Sequence, residues 1–309
     1  MIDKKRQLAS YVDAMRKASR IISEQNPDYL VAPMSGSIPF IDAMAIVDRD
    51  FDPTKVVYMP ASSRIWDVSR VMSEWYSNFL DSIVKSPYEF PKILGIDEVV
   101  SGNSVVRCFK PIDAATNKKR RQLRQGLVER LHSRDYETAI EAVREADVLA
   151  DNVKSVELGT IRDRIERRVY KNRPDLEKSD SDFFVNLLRD ELENKLEYKT
   201  IGIEDSKISK KNDQYTELRE RGRIIPIRVE RIISMDDPDF STAVFEQIDS
   251  PHKKSYAKLS PMVIGFEIKP DYLDFLATLA NYVGVDSSRV SPVNMQAIID
   301  SSRFLEPVK

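Results

Sequence analysis

Apolar residues recur at helical spacing near the start of the chain, at Leu8, Tyr11, Val12, Met15, Ala18 and Ile21, which predicts an amphipathic helix over residues 3–25. Asn26-Pro27-Asp28 ends it. Tyr29 to Ala32 then reads as a short strand, Pro33 to Phe40 as a loop, and Ile41, Met44, Ala45 and Val47 as a helix. The same rhythm returns with Lys55 to Pro60 (KVVYMP), β-branched and aromatic, followed by a helix striped by Val68, Val71, Met72, Trp75, Phe79, Leu80 and Ile83. A third apolar run, Ile93, Leu94 and Ile96, ends in the acids Asp97 and Glu98. After it come a tight Ser101-Gly102-Asn103-Ser104 turn and a helical or extended segment from Val105 that Pro111 is expected to interrupt.

From about residue 113 the pattern is helical only, running through Leu188, Leu192 and Leu196 with a break at Asn172-Arg173-Pro174. Strand texture resumes at Tyr198 to Glu204. A polar loop over Asp205 to Asp213, a short helix ending at Gly222 and a strand over Arg223 to Val229 follow. Further on, Lys258 to Ile268 suggests a strand, Asp271 to Val283 a helix stopped near Gly284, and Pro292 to Ser301 a last helix. Strands alternating with helices predict an α/β fold with a mainly parallel sheet flanked by helices. The predicted organisation is an N-terminal helix (1–28), a first core part (29–112), a large helical insertion (113–197), a second core part (198–250) and a strand and helix extension (251–309). That last part carries no polar constellation and is assigned to packing or homodimer contacts.

Composition narrows the function classes. A chain of 309 residues with 41% hydrophobic and 32% charged residues has enough apolar material for a core under a heavily charged surface. A formal net charge of -2 gives no global bias toward nucleic acid or membrane. One cysteine excludes an internal disulfide, and with two histidines it argues against a His/Cys zinc site. No run approaches a membrane span and the first residues lack the apolar core of a signal peptide, so the cytoplasm is the expected compartment.

The chemistry concentrates in two strand–turn–helix units. A turn such as Ser101 to Ser104 aims amides and hydroxyls at one point before a helix N-terminus, which favours a phosphate. Asp97 and Glu98 beside it could take the hydroxyls of a sugar. The plain alternative is a buried strand with a helix cap at Asn103 or Ser104. In the first unit Ser35-Gly36-Ser37 forms a small-residue loop after a strand, where Gly36 would allow close approach or a positive φ.

The stretch KILGIDEVVSGNSVV (92–106) resembles the PRPP-binding motif of the type I phosphoribosyltransferases, in which apolar residues, two acids and a Thr/Ser-Gly-x-Thr/Ser turn follow one another. Laying Ser101 to Ser104 on the family's phosphate turn puts Asp97 on its second acid and Ile96 on the first. Taking Asp97 and Glu98 as the pair leaves the turn one residue shorter. The resemblance implies that Asp97, with Glu98, holds the ribose hydroxyls or the Mg²⁺ carried by phosphoribosyl pyrophosphate (PRPP). It further implies that Ser101, Gly102, Asn103 and Ser104 hold the 5′-phosphate and that Ser35, Gly36 and Ser37 hold the pyrophosphate. Arg64, with Ser62 and Ser63 in the region of the family's mobile loop, would neutralise the leaving charge. Asp236 and Asp237, past the last core strand, would face the acceptor amine or Mg²⁺. The implied activity is transfer of a phosphoribosyl group to a nitrogen nucleophile with release of pyrophosphate. A non-catalytic nucleotide-binding or regulatory protein is the second expectation.

Lys118, Lys119, Arg120, Arg121, Arg124, Arg130 and Arg134 crowd one span of the helical insertion, with Glu129 the one acid before Asp135. Such a run could meet nucleic-acid phosphates, but no aromatic residues interleave for base stacking. A solvated helix face paired with downstream glutamates is the favoured reading.

Overall fold

The computed structural model describes residues 4–34, 36–61, 67–86, 89–150, 155–171, 178–208, 211–233, 242, 244–247, 266–286 and 300–301. Compactness divides the chain into two units. The first comprises 1–79, 92–113 and 198–309, and the second 80–91 and 114–197.

In the first unit α1 (Lys4–Gln25) buries Leu8, Tyr11, Val12, Met15, Ala18 and Ile22 along one stripe and stops before Asn26 at φ 43° and Pro27. Five strands follow in alternation with helices: β1 (Tyr29–Pro33), α2 (Ile38–Val47), β2 (Val56–Met59), α3 (Val68–Ile83), β3 (Ile93–Val99), α4 (Asn103–Leu131), β4 (Lys199–Asp205), α8 (Asp213–Glu220) and β5 (Ile224–Val229). All five strands are parallel, in the order β2-β1-β3-β4-β5. Parallel strands covered on both faces read as nearly continuous apolar runs, as β3 and β4 do. On one face Leu94, Ile96, Ile201, Ile203, Ile227 and Val229 pack with α1, α2 and the late helix α9 (Pro270–Val283). On the other lie Trp75, Tyr76, Phe79, Phe109 and Tyr198, whose rings contact one another at centroid distances of 5.2–6.4 Å. Gly95 is glycine because Tyr198 crosses the strand there: a β-carbon would sit 2.0 Å from the Tyr198 hydroxyl.

Pro111 does not interrupt its segment. α4 runs through it for 29 residues, against the sequence expectation. The lost amide and ring clash cost about 3 kcal/mol in a helix interior, and burial of Val105, Cys108, Phe109, Ile112 and Ala115 on this helix outweighs it. A short antiparallel pair, β6 (Phe245–Gln247) with β7 (Phe266–Ile268), was not foreshadowed in full: the expected strand over 258–268 is described only at its end. Gly284 closes α9 in the left-handed region at φ 77°. Of the expected last helix only Asp300 and Ser301 are described, both helical. Ser301 accepts the Tyr58 amide at 3.0 Å on its hydroxyl and the Trp75 indole at 2.7 Å on its carbonyl.

The second unit is helical, as the periodicity predicts: the later part of α4 with α5 (Tyr136–Leu149), α6 (Ser155–Lys171) and α7 (Lys178–Glu193). Leu127, Leu131, Ile140, Val143, Leu158, Ile161, Phe184 and Leu188 form its core. Asp135 caps α5 by accepting the Thr138 amide at 2.9 Å, and Arg130 grips Glu145 through two bonds of 2.8 and 2.9 Å.

Candidate functional site

In a sheet of this order the topological switch lies between β1 and β3, and ligands bind beyond the carboxyl ends of the strands there. Both strand–turn–helix units meet at that edge. The loop after β1 contains Gly36 and Ser37, and the end of β3 contains Asp97 and Glu98. Strand alternation sends the two acids to opposite faces of the sheet. Gly36 spans them: a methyl group on it would lie 3.8 Å from Asp97 Oδ1 and 4.0 Å from Glu98 Oε2. Of the two uses foreseen for this glycine, close approach is the one realised, because the residues with positive φ do not include it.

Asp97 is 6% exposed. Its Oδ1 accepts the Glu98 amide at 2.8 Å and lies 3.5 Å from the Ser37 hydroxyl. Burial nevertheless pushes its carboxyl up to about 7, against the opposing pull of Arg107. Glu98 is also raised to about 7, by burial and by the charge of Asp205. Asp205, at the end of the neighbouring strand β4, is itself satisfied by the amides of Lys207 at 2.8 Å and Ile232 at 3.1 Å. Ser37 is fully buried, and its hydroxyl donates to the Ile96 carbonyl at 2.7 Å. It ties the β1 loop to β3, which leaves Gly36 as the described residue of that loop facing the acids.

The turn from Ser101 to Ser104 opens α4. Gly102 adopts φ 86°, and Tyr215 packs so closely that a β-carbon there would fall 2.6 Å from the ring, so only glycine fits. The Asn103 amide reaches Ser101 Oγ at 3.4 Å, and the Ser104 hydroxyl donates to the Glu98 carbonyl at 3.3 Å. The remaining amides of the first helical turn have no intrahelical acceptor by the geometry of a helix. A second segment braces the turn. Asn212 donates its amide to the Ser101 carbonyl at 2.9 Å and its side chain to Asn103 Oδ1 at 2.8 Å. Lys211 donates to the carbonyls of Val99 at 3.2 Å and Val100 at 2.6 Å, and burial lowers its pKa.

Lys211 and Arg107 are the two cations the sequence reading missed. Lys211 lay unmarked in a polar loop before the Asn212 cap of α8. Arg107 follows Asn103 by one helical turn, the interval that returns a side chain to the same face, and its Nε is buried without a hydrogen-bond partner. Ser35, Ser62, Ser63, Arg64, Asp236 and Asp237 lie outside the described residues.

Among the described residues no group of three His, Cys, Asp or Glu side chains could hold a metal ion, and no helix is long and apolar enough to cross a membrane. A cavity of about 360 Å³ lined by Ser19, Asn26, Asp48 and Lys55 adjoins the opposite, amino end of β1, and its polar groups bond one another (Ser19 to Asp48 at 2.5 Å, Lys55 to Asn26 at 3.1 Å). Compared with models of protein families, with curated proteins and with solved structures, the chain matches none.

Proposed function

We propose that the carboxyl edge of β1 and β3 binds a phosphoribosyl compound, PRPP or a nucleotide, and that the protein is phosphoribosyltransferase-like, passing the phosphoribosyl group to a nitrogen nucleophile with release of pyrophosphate. The observation that supports this reading is the meeting of Gly36, two carboxylates and the Gly102 turn at the switch point of a parallel sheet. In it, the first amides of α4 and the turn from Ser101 to Ser104 take the 5′-phosphate, with the charge of Lys211 close by. Asp97 and Glu98 take the ribose hydroxyls, and the main chain at Gly36, with Ser35, takes the pyrophosphate. Arg64 balances the leaving charge, and Asp236 and Asp237 receive the acceptor amine. In this reading Mg²⁺ comes chelated by PRPP as part of the substrate, with Asp97 its contact in the chain. Rate enhancement at such a site comes from positioning and from stabilising charge on the departing pyrophosphate.

A second reading, a nucleotide-binding protein without transfer, is favoured by one observation: both acids are held near 7, so neither is fully charged at neutral pH. Calorimetric titration with PRPP and Mg²⁺, beside ribose 5-phosphate, AMP and GMP, tests the shared site. Binding of PRPP that disappears in Asp97→Asn supports it, and the absence of binding to all four sinks it. Turnover with purine, pyrimidine and nicotinate acceptors then separates transfer from binding alone.

A further inference from the structure

The helical unit sorts the basic run into spent and unspent charges. Lys119 pairs with Asp81 at 2.7 Å, and Arg130 with Glu141 and Glu145. Arg120 gives Nε and Nη2 to the Lys195 carbonyl at 2.9 and 2.7 Å, capping the end of the α7 region. Three arginines remain around a cleft of about 440 Å³ between α4 and α7: Arg121, Arg124 and Arg189. Among the described residues Arg121 touches only the Asn117 carbonyl, through Nε at 3.3 Å, and Arg189 approaches its sequence neighbour Asp190 at 3.5 Å. Arg124 has no acid partner among the described residues. Among the described residues Glu193 is the one acid lining the cleft, and Leu188 and Leu192 beneath it are buried, so what the cleft offers a ligand is chiefly guanidinium groups beside the Asn117 amide.

We infer that this cleft binds the phosphate backbone of a single-stranded nucleic acid. Arg121 and Arg124 stand three residues apart on one helix, roughly 4.5 Å along its axis, and exposed Lys118 continues the row. Arg189 faces them from the other wall. Cations spread along a cleft match successive phosphates of a strand, whereas a single small anion is held by groups converging on one point. No aromatic residue lines it among the described residues, and its guanidinium groups suit contacts to the backbone, independent of sequence. The site stands apart from the phosphoribosyl reading and does not rest on it.

The test is fluorescence anisotropy of a labelled mixed-sequence oligoribonucleotide over a salt series, with the full chain and the variant Arg121→Ala/Arg124→Ala/Arg189→Ala. Wild type should bind at low salt and weaken steeply as salt rises. Each phosphate contact on a single strand contributes about 0.7 to the slope of log K against log salt, so the triple variant should lose about 2. Lys17→Ala, on α1, should keep the wild-type slope, and an unchanged melting curve shows that the variants fold. Absent binding at low salt, or a triple variant with the wild-type slope, overturns the inference. So does tripolyphosphate binding that the oligoribonucleotide does not displace, which would mark a small-anion site instead.

Discussion

The two units treat charge in opposite ways. In the helical unit the acids meet arginines, Arg130 with Glu141 and Glu145 and Arg164 with the buried Asp180, while Arg121 and Arg189 stay exposed. Pairs that reach water, such as Arg130 with Glu141, add modestly to stability and little else. At the sheet edge Asp97 is buried and Glu98 half-buried, without an ion pair among the described residues, and burial raises both. A well-packed apolar residue would serve folding better at either place. The contrast teaches where to look for function: in charges that the fold carries at a loss. The glycines divide in the same way. Gly95 and Gly102 are held by contacts a side chain would violate, whereas Gly126 in α4 has nothing within 4 Å of a β-carbon.

The hardest blow to the sheet edge is Gly102→Val. It puts a β-branched residue at φ 86° and drives its side chain into Tyr215. Strain and overpacking together should cost about 3–4 kcal/mol, read as a lowered urea midpoint with loss of any PRPP binding. A midpoint within experimental scatter of wild type would show that Tyr215 does not pack on this turn.

The buried acids come next. Their folded carboxyls sit at about 7, above the values near 4 of an unfolded chain, so between roughly pH 4 and 7 the folded state holds protons that the unfolded state has released. Unfolding free energy should therefore fall as pH rises through that window and level off above it. Asp97→Asn should remove most of the Asp97 share, making the protein more stable than wild type at pH 8 by about 2–4 kcal/mol while abolishing ligand binding. Equal denaturation midpoints for the two proteins at pH 8 would show that Asp97 is not buried as a carboxylic acid.

Much of this was legible in the sequence, for identifiable reasons. Parallel strands buried on both faces announce themselves as apolar runs, so β1 to β5 and their alternation with helices could be read from Tyr29, Val56, Ile93, Tyr198 and Ile224 onward. Asp97, Glu98 and Gly102 stood out because acids and a glycine turn ended such a run. What could not be read is what depends on segments distant in sequence. Pro111 stays helical because residues around it are buried, Ser37 turns its hydroxyl to Ile96 59 residues away, and Lys211 reaches Val99 across 112. Arg107 was legible in principle from its spacing to Asn103, but nothing local marks that its Nε would be buried.

On the helical side the effects should be smaller. Arg130→Ala removes a forked pair with Glu145 and a contact to Glu141 at 3.1 Å, on a side chain 31% exposed. A loss of about 1 kcal/mol is expected, shrinking in high salt, as exposed pairs do. A loss as large as that from Gly102→Val would erase the contrast between the units.

The smallest effect has the opposite sign. Gly126 lies in the interior of α4 with ordinary helical φ and open space where a β-carbon would go. Alanine there forfeits no contact and spares the backbone entropy that glycine loses in a helix, so Gly126→Ala should stabilise the protein by about 1 kcal/mol. Gly95→Ala, one methyl group added in the same chemical sense, should destabilise it by about 1–3 kcal/mol, because Tyr198 already fills that space. Thermal melts of the two variants side by side compare one substitution in two environments. If both variants gain stability, Gly95 is not held by packing and the close crossing of Tyr198 over β3 is wrong; if both lose it, the open space at Gly126 is wrong.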